Sequence, residues 1–390
     1  MPNLRFPEFE GEWEECTIGD YGDIITGNTP PTKDSANYKD GTYLWASPSD
    51  LGSYKFITET QTKLSSNGFD KTRKLSAGSV LVTCIGSTIG KMGMALTEMS
   101  TNQQINSIVV KKQYNNHFVY YALQSRFPRY LNSVAVQAVP IISKSSFEKL
   151  TNYKTSLEEQ KKIGTLLNLI DERIATQNRI IEDLKQLRSA ITNRIIYNLV
   201  ADKKFVPFSA IYQMAGEGGT PNTNNRQYYE GGTIPFIKID DLSSKYLTRN
   251  KDFITEIGLQ KSSAWVIPAN SLIYSNGATI GAVSINTYKV ATKQGILGIV
   301  PKSTVCVEYL YYLTTSTFFK KQIHRIITHG TMTTAYLKDI NKIKVPLPDI
   351  EEQNKVIKGL ITLSEKIEKE QEILANFQAQ KKYLLHQMFI

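Results

Sequence analysis

Two stretches of the chain carry apolar residues at alternating spacings of four and three positions. The first stretch runs through Ile163, Leu167, Ile170, Ile174, Ile181, Leu184, Ile191 and Ile195, and the second through Val356, Leu360, Leu363, Ile367, Leu374, Phe377, Leu384 and Met388. Polar residues interrupt both stretches, at Gln177 and Arg188 and at Glu370 and Lys381. This spacing is typical of a coiled-coil seam and predicts long helices in residues 153–200 and 348–390. The alternative is two amphipathic helices that each lie on their own domain.

The rest of the chain consists of short apolar and β-branched runs separated by Gly, Pro, Asn and Ser. The runs predict strands at residues 80–85, 108–110, 272–274 and 296–300, and aromatic and aliphatic spacing predicts helices at 118–131 and 308–327. These elements fall in residues 1–152 and 201–347, which we call the first head and the second head. Each head is predicted to be an α+β domain.

The chain is one unit of about 190 residues that occurs twice. The matched segments are 27–51 with 218–242 and 86–90 with 277–281, both at an offset of 191, and 156–160 with 349–353 at an offset of 193. Near the predicted helices, Tyr121 matches Tyr311 at an offset of 190. The repeat predicts two equivalent heads, each followed by a long helix.

Pairing the two helices within the chain would bury both apolar seams. We therefore predict two pseudo-symmetric globular domains joined by an antiparallel two-helix coiled coil, with a rod of roughly 48 Å between Ile163 and Ile195. We call the four polar residues that interrupt the seam, Gln177, Arg188, Glu370 and Lys381, the polar stations. They either fix the register of the helix pair or lie where water enters the seam.

The chain has 46 Lys and Arg against 36 Asp and Glu, a net charge of +10. Residues 156–200 and 349–390 together hold thirteen of each sign, so the excess lies outside the helices. A basic excess on two heads favours a polyanion such as DNA as the partner. No run of eighteen apolar residues predicts a membrane span. Three distant cysteines predict a reducing, cytoplasmic location.

Motifs for catalysis do not emerge from the sequence. Gly86-Ser-Thr-Ile-Gly90-Lys91 has three residues between its glycines where a P-loop needs four, and Met92 follows where Ser or Thr is required. We interpret this segment as a tight turn between strands. The four histidines show no metal-ligand spacing. The chain is therefore expected to be non-catalytic and to bind no metal.

The ordered motifs make the chain resemble the specificity (S) subunit of type I restriction-modification systems. They are Arg5-Phe-Pro7 with Trp13, Gly27-Asn-Thr-Pro30 with Gly219-Thr-Pro221, residues 45–50 with 236–241, 86–90 with 277–281, and Leu157-Glu-Glu-Gln160 with Val345-Pro-Leu-Pro-Asp-Ile-Glu-Glu-Gln353. The resemblance covers the whole chain. One departure is that residues 152–156 lack the Pro-Leu-Pro found before the second helix.

This resemblance implies two target-recognition domains that each bind one half of a bipartite site in double-stranded DNA. It also implies that the helical spacers bind two methyltransferase subunits, which in turn recruit restriction subunits. S-adenosylmethionine, ATP and Mg²⁺ would then belong to those partners, and the chain itself would need no cofactor. The alternatives are a coiled-coil scaffold, an orphan sequence-specific DNA-binding protein without restriction partners, and a stand-alone methyltransferase or nuclease.

Polar side chains on loops are the candidates for contacting DNA. In the first head they are Lys33, Ser47, Ser49, Asp50, Ser87, Thr88, Lys91, Gln103, Gln104 and Lys144. In the second head they are Asn222, Asn224, Arg226, Lys238, Asp240, Ser275, Asn276, Lys293, Gln294 and Thr331. For Asp50 and Asp240 the alternative to a DNA contact is a structural role, because Asp at a turn more often caps backbone NH groups.

Overall fold

A computed structural model describes the chain at residues 2–52, 54–134, 140–201, 204–277, 279–327 and 333–389. The chain divides into two compact units. The first unit is Met1–Ile180 together with Glu370–Ile390, and the second unit is Ile181–Lys369. Among the described residues, no helix is both long and apolar enough to cross a bilayer.

The first head is built from short strands arranged in three sheets. Its strands are β1 (Glu14–Thr17), β2 (Gly22–Thr26), β3 (Tyr43–Ala46), β4 (Phe56–Ile57), β5 (Thr62–Leu64), β6 (Val80–Thr83), β7 (Met92–Ala95), β8 (Ser100–Thr101), β9 (Ile105–Val110) and β10 (Thr151–Lys154). Its helices are α1 (Ile18–Tyr21), α2 (Ser66–Asp70), α3 (Asn116–Val134) and α4 (Lys144–Glu148). The strand orders are β2-β9-β6-β7-β4, β5-β3-β8 and β1-β10.

The middle strand β6 shows how the sequence positions the largest sheet. All four of its residues are buried, and successive side chains point to opposite faces. Val80 and Val82 belong to the apolar cluster that includes Phe118 of α3. Leu81 belongs to a second cluster on the other face, with Leu51. The predicted strands at 80–85 and 108–110 are thus confirmed as β6 and β9, and the predicted helix at 118–131 as α3.

The second head repeats this arrangement after the long helix α5 (Leu157–Ala201). Its strands are β11 (Phe205–Pro207), β12 (Tyr212–Glu217), β13 (Ile234–Ile237), β14 (Tyr246–Leu247), β15 (Asp252–Ile254), β16 (Leu272–Ser275), β17 (Val283–Asn286), β18 (Ala291–Thr292), β19 (Ile296–Pro301) and β20 (Lys344–Pro346). Its helices are α6 (Glu256–Gln260), α7 (Val307–Thr315), α8 (Thr317–Ile326) and α9 (Leu337–Ile340), and α10 (Ile350–Met388) follows. The sheet orders β12-β19-β16-β17-β14, β15-β13-β18 and β11-β20 match those of the first head. The predicted internal repeat and both predicted strands are confirmed.

Two details of the second head differ from the sequence predictions. The helix predicted at 308–327 is two helices, because Ser316 has an extended backbone and its Oγ accepts a hydrogen bond from the Phe319 amide at 3.2 Å. The match of Tyr121 with Tyr311 is wrong by one residue. The edge-on ring pair Tyr120–Tyr121 corresponds to Tyr311–Tyr312, with centroid distances of 5.2 and 5.3 Å. The offset here is therefore 191.

The glutamine of each Glu-Glu-Gln motif joins a spacer helix, α5 or α10, to its own head. Gln160 Oε1 accepts a hydrogen bond from the Asn115 amide at 3.0 Å, just before α3. Gln353 Oε1 accepts one from the Cys306 amide at 2.8 Å, just before α7. Both glutamines are buried. The repeated motif therefore fixes the start of each spacer helix against its head.

The two glutamates before Gln160 have different roles. Glu158 is exposed in the first turn, where an acid suits the dipole. Glu159 is fully buried and binds the Arg5 guanidinium through both oxygens, at 2.7 and 2.8 Å. Trp13 Nε1 also donates to Glu159, at 3.4 Å. The motif Arg5-Phe-Pro7 with Trp13 is therefore tied to the first spacer helix.

The spacer helices pack antiparallel within each unit. In the first unit, Ile163 near the start of α5 shares an apolar cluster with Met388 at the end of α10. In the second unit, Ile196 near the end of α5 shares a cluster with Leu360 near the start of α10. The predicted antiparallel pairing of the two spacer helices is therefore confirmed within each unit.

One predicted seam position is wrong. The other fifteen are buried or half-buried, but Ile191 is 37% exposed and Thr192 beside it is buried. A straight α-helix drifts by about 20° per heptad from a 3.5-residue repeat, so a strict heptad pattern leaves the interface towards its end.

The polar stations of the seam are paired. Gln177 Nε2 donates to the Glu370 carbonyl at 3.0 Å and to its carboxylate. Lys381 forms an ion pair with Asp171 at 2.6 Å, and Arg188 donates to Ser364 Oγ at 3.2 Å. These contacts favour the interpretation that the polar stations fix the register, because another register would leave buried polar groups unpaired.

Candidate nucleic-acid interface

In the first head, four loop segments meet at one edge of the largest sheet. β6 and β9 are antiparallel neighbours, so the end of β6 lies beside the start of β9. The Cys84 amide donates to the Gln104 carbonyl at 2.8 Å, and the Gly86 amide donates to the Pro140 carbonyl at 3.1 Å. Thr29 Oγ1 contacts Gln103 Oε1 at 2.6 Å. The loops 27–30, 84–91, 102–104 and 140–143 form what we call the first loop cluster.

The second head forms the same cluster from the matching segments. The backbone amide of Asn276 donates to the backbone carbonyl of Gly295 at 3.0 Å. The backbone amide of Ala335 donates to the backbone carbonyl of Asn276 at 2.9 Å. The Gln294 amide contacts Thr220 Oγ1 at 3.4 Å. We call the described parts of loops 218–221, 276–281 and 293–295, with 333–336, the second loop cluster.

Glycine is required where the loops approach one another. A Cβ on Gly27 would lie 2.2 Å from the Thr101 carbonyl oxygen, and one on Gly218 would lie 2.1 Å from the Thr292 carbonyl oxygen. Gly90 and Gly281 have φ of +91° and +97°, values that L side chains rarely adopt. The segment 86–90 lies in the turn between antiparallel β6 and β7, which confirms its interpretation as a tight turn.

The repeated aspartate of residues 45–50 and 236–241 is a capping residue. Asp50 Oδ2 accepts hydrogen bonds from the Ser47 amide at 2.8 Å and the Ser47 hydroxyl at 2.7 Å, and its Oδ1 accepts one from the Gln61 amide at 2.9 Å. Asp241 does the same for the Lys238 amide at 2.9 Å. The structural alternative therefore applies to Asp50, while in the second head Asp241 caps the turn and Asp240 is exposed.

The candidate DNA-contacting residues have different surroundings. Those in the first loop cluster and at least partly exposed are Ser87, Thr88, Lys91, Gln103 and Gln104, and those in the second are Lys293 and Gln294. Those exposed or half-exposed elsewhere are Lys33, Ser47, Ser49, Asp50, Lys144, Asn222, Asn224, Arg226, Lys238 and Asp240. Thr331 lies outside the described residues. Their contacts with DNA stay a prediction.

Two candidates that were predicted to lie on the surface are buried, and the prediction is wrong for them. Ser275 and Asn276 are fully buried. Ser275 is the last residue of β16 and pairs with Ile296, and the Asn276 Nδ2 group donates to the Ala335 carbonyl at 3.2 Å. Neither side chain is available to a base edge, because tertiary packing covers the end of the strand.

Sequence reasoning missed the threonine in the Thr-Pro motif. Thr29 and Thr220 each contact the loop that carries a candidate glutamine, Gln103 or Gln294. The signal was present, since Thr-Pro recurs at an offset of 191. The threonines hold the glutamine loops in place.

A buried lysine connects the first head to the spacer helices. Lys55 Nζ lies 2.5 Å from His117 Nδ1, 2.9 Å from Tyr121 Oη and 2.7 Å from Asn168 Oδ1 of α5. Tyr121 in turn donates to Asp171 at 2.6 Å. Burial lowers the pKa of Lys55 to about 7, although the charge of Asp171 opposes the effect. Burial also lowers the pKa of His117, and the neighbouring Lys55 lowers it further.

The second head has a lysine at the matching position, with different partners. Lys245 forms an ion pair with Glu308 and donates to Tyr312 Oη at 3.2 Å. Tyr312 Oη donates to the Leu360 carbonyl of α10 at 2.8 Å. Burial acts to lower the pKa of Lys245, but the hydrogen bond and charge of Glu308 outweigh it and the pKa is raised. We call these two sites the first and second lysine junctions.

Comparison with known proteins agrees with the repeat. The profile of the type I restriction modification DNA specificity domain matches residues 10–186 and 202–377. The specificity subunit of the type I restriction enzyme MjaIX from Methanocaldococcus jannaschii is 23% identical, covering 86% of this chain and 83% of its own. The MjaVIII subunit of the same organism is also 23% identical, covering 94% and 89%.

Among solved structures, the S subunit of a type I restriction-modification system from M. genitalium has the same fold. It superposes with a TM-score of 0.61 at 17% identity, covering 100% of this chain and 99% of that one. The two specificity-domain matches lie in order along the chain and include most of its length. The chain therefore belongs to the family of type I restriction-modification DNA specificity subunits.

Proposed function

We propose that this chain supplies the DNA sequence specificity of a type I restriction-modification complex, with each head binding one half of a bipartite site. The observation that carries the proposal is the pair of loop clusters. Both are built on the corresponding edge of the largest sheet of each head, with glycines at matching positions and a threonine that contacts the matching glutamine. Their exposed side chains differ, which suits two heads that recognise different half-sites.

The candidates that best suit base contacts are the exposed amide and hydroxyl groups of the loop clusters. Gln103 and Gln294 are exposed on matching loops. Glutamine pairs with adenine through two hydrogen bonds in the major groove. Lys91 and Lys293 are exposed in the same two loop clusters and suit phosphate contacts. These roles are part of the proposal.

The spacer helices are proposed to bind methyltransferase subunits, and restriction subunits through them. Apolar side chains remain exposed on both helices outside the seam, including Leu169 (51%), Leu187 (50%) and Tyr383 (60%). Exposed apolar residues along a helix suit a protein partner. Catalysis, S-adenosylmethionine, ATP and Mg²⁺ are proposed to belong to those partners. The proposed division is 1–152 and 201–347 for target recognition and 153–200 and 348–390 for the spacers.

An exchange of heads tests the proposal. Replacing residues 201–347 with the second head of a relative is expected to change one half of the methylated site and leave the other half unchanged. Long-read sequencing of methylated DNA from cells that carry the complex would measure both halves. A change in both halves would contradict independent recognition. Loss of methylation with folded, assembled protein would favour a scaffold function.

Shortening the spacers tests how the gap is set. Removal of one heptad from each spacer helix shortens it by roughly 10 Å, which corresponds to about three base pairs. The gap in the methylated site is expected to change, or binding to be lost because the heads also rotate around the duplex. The base identities of both halves should persist wherever binding does. An unchanged gap would contradict the spacer role.

A further inference from the structure

The positive charge of the chain is concentrated in the second head. Residues 201–347 contain seventeen Lys and Arg against nine Asp and Glu, whereas residues 1–152 contain fifteen against fourteen. The net charges are therefore +8 and +1. Two heads with the same fold and the same loop framework thus differ sharply in their attraction for a polyanion.

Part of this excess forms a continuous basic face on α8. The exposed side chains of Lys320, Lys321, His324 and Arg325 line an open recess with Thr317. Phe319 and Ile323 occupy the opposite, buried face. Residues 317–326 contain no Asp or Glu, and no ion pair involves these four side chains among the described residues. The face therefore carries positive charge that no carboxylate of the described residues compensates.

The first head carries fewer cations at the matching place on α3. At an offset of 191, Lys320 corresponds to Arg129, which is also exposed, but Lys321 corresponds to Tyr130. Tyr130 is buried and donates to the Thr151 carbonyl at 2.6 Å. His324 and Arg325 lie in the last turn of α8, where cations suit the helix dipole, but Lys320 and Lys321 lie earlier and have no such explanation.

The ends of α8 connect the spacer helix with the second loop cluster. At its start, the Thr317 amide and hydroxyl donate to Asn193 Oδ1 of α5 at 2.8 and 2.9 Å. After its end, the chain returns at residues 333–336, where the Ala335 amide is bonded to Asn276 of the loop cluster. The basic face therefore lies on the helix that leads into the candidate interface.

We propose that the exposed face of α8 binds the phosphate backbone of duplex DNA beside the second half-site. The inference rests on the proposed function and adds to it a contact that carries no base information. From Lys320 to Arg325 the helix rises by about 7.5 Å, enough for two or three phosphates along one strand. The second head then supplies most of the sequence-independent affinity, and the first head depends more on its base contacts.

Neutralising the two central lysines tests the site. The full chain carrying Lys320→Gln and Lys321→Gln is titrated with random-sequence duplex DNA between about 50 and 200 mM salt. Each phosphate contact contributes about 0.9 to the slope of log K against log salt, so the slope should fall by about 1.8. The charge-conserving pair Lys320→Arg and Lys321→Arg should keep the slope of the unmodified chain.

The matched control is Lys302→Gln with Lys344→Gln. Both lysines are exposed in the same head, and Lys302 follows β19 at the end away from the 293–295 loop. This control should keep the slope. An unchanged slope in the α8 variant, with or without loss of protein partners, would overturn the phosphate site while the proposed function stands. An unmodified chain without salt-dependent DNA binding would contradict the proposed function itself.

Discussion

The two lysine junctions occupy the same place in the repeat, and the partner that differs in charge is the first residue each lysine faces from the following helix. Lys55 faces the imidazole of His117, and Lys245 faces the carboxylate of Glu308. His117 and Glu308 correspond at an offset of 191. The residue at this matched position contacts the junction lysine in both copies, but it is an imidazole in the first copy and a carboxylate in the second.

The exchange of an imidazole for a carboxylate is the main electrostatic difference between the two junctions. In the second, a carboxylate in direct contact compensates a buried ammonium, and the pKa of Lys245 is raised. In the first junction, Asp171 accepts a hydrogen bond from Tyr121 instead of one from Lys55, and it forms an ion pair with Lys381. Desolvation then prevails and the pKa of Lys55 falls to about 7. Equivalent packing can thus hold a permanently charged lysine or one that titrates near neutrality.

The largest expected effect comes from removing the carboxylate. Glu308→Ala leaves Lys245 charged and buried, which is expected to cost about 3–5 kcal/mol of unfolding free energy in the second unit. His117→Ala removes one of three acceptors from Lys55, and about 1–3 kcal/mol is expected in the first unit. Hydrogen exchange of the amides in α7 and α3 would measure each unit separately.

The double variant Lys245→Met with Glu308→Leu is the control for this prediction. It removes both charges and retains apolar volume, so most of the lost protection should return. Equal losses in Glu308→Ala and His117→Ala would show that the charge of the partner does not distinguish the junctions. Failure of the double variant to recover would assign the loss to packing.

The next effect is a dependence of stability on pH that belongs to the first junction. The pKa of Lys55 is about 7 in the folded chain and 10.5 without the protein environment. Between these values the unfolded chain binds more protons, so the free energy of unfolding rises with pH, by at most about 1.4 kcal/mol per unit. Lys55→Met should remove this rise.

The measurement is hydrogen exchange of α3 at several pH values, with rates corrected for the intrinsic effect of pH. Lys245→Met is the matched control in the other head. Because the pKa of Lys245 is raised, its contribution is fully present below 10.5 and is lost only as pH rises through the folded pKa. The difference between unmodified chain and Lys245→Met should therefore be flat over the same window. A flat difference for Lys55→Met would refute a lowered pKa.

The junctions also show where sequence reasoning reaches its end. The seam and the strands were predictable because each depends on a local period, and the repeat doubled the signal. Lys55 and His117 are sixty-two positions apart and belong to no local pattern, so only the fold brings them together. Ser275 and Asn276 were misplaced for a related reason, since contacts with distant residues bury a polar strand end. Ile191 was misplaced by helix geometry, which drifts from the heptad that the sequence keeps.

The smallest effect at neutral pH, and the sharpest test of the comparison, is His117→Glu. This change places beside Lys55 the group that Lys245 already has. Pairing and desolvation nearly offset each other in a buried ion pair, so stability at pH 7 should change by only about 1 kcal/mol. The pKa of Lys55 should rise, and the rise of stability between about pH 7 and 10.5 should disappear although the lysine remains. His117→Gln supplies a polar side chain without charge and should retain that rise, so a rise that survived in His117→Glu would show that the partner at this position does not set the titration of the junction lysine.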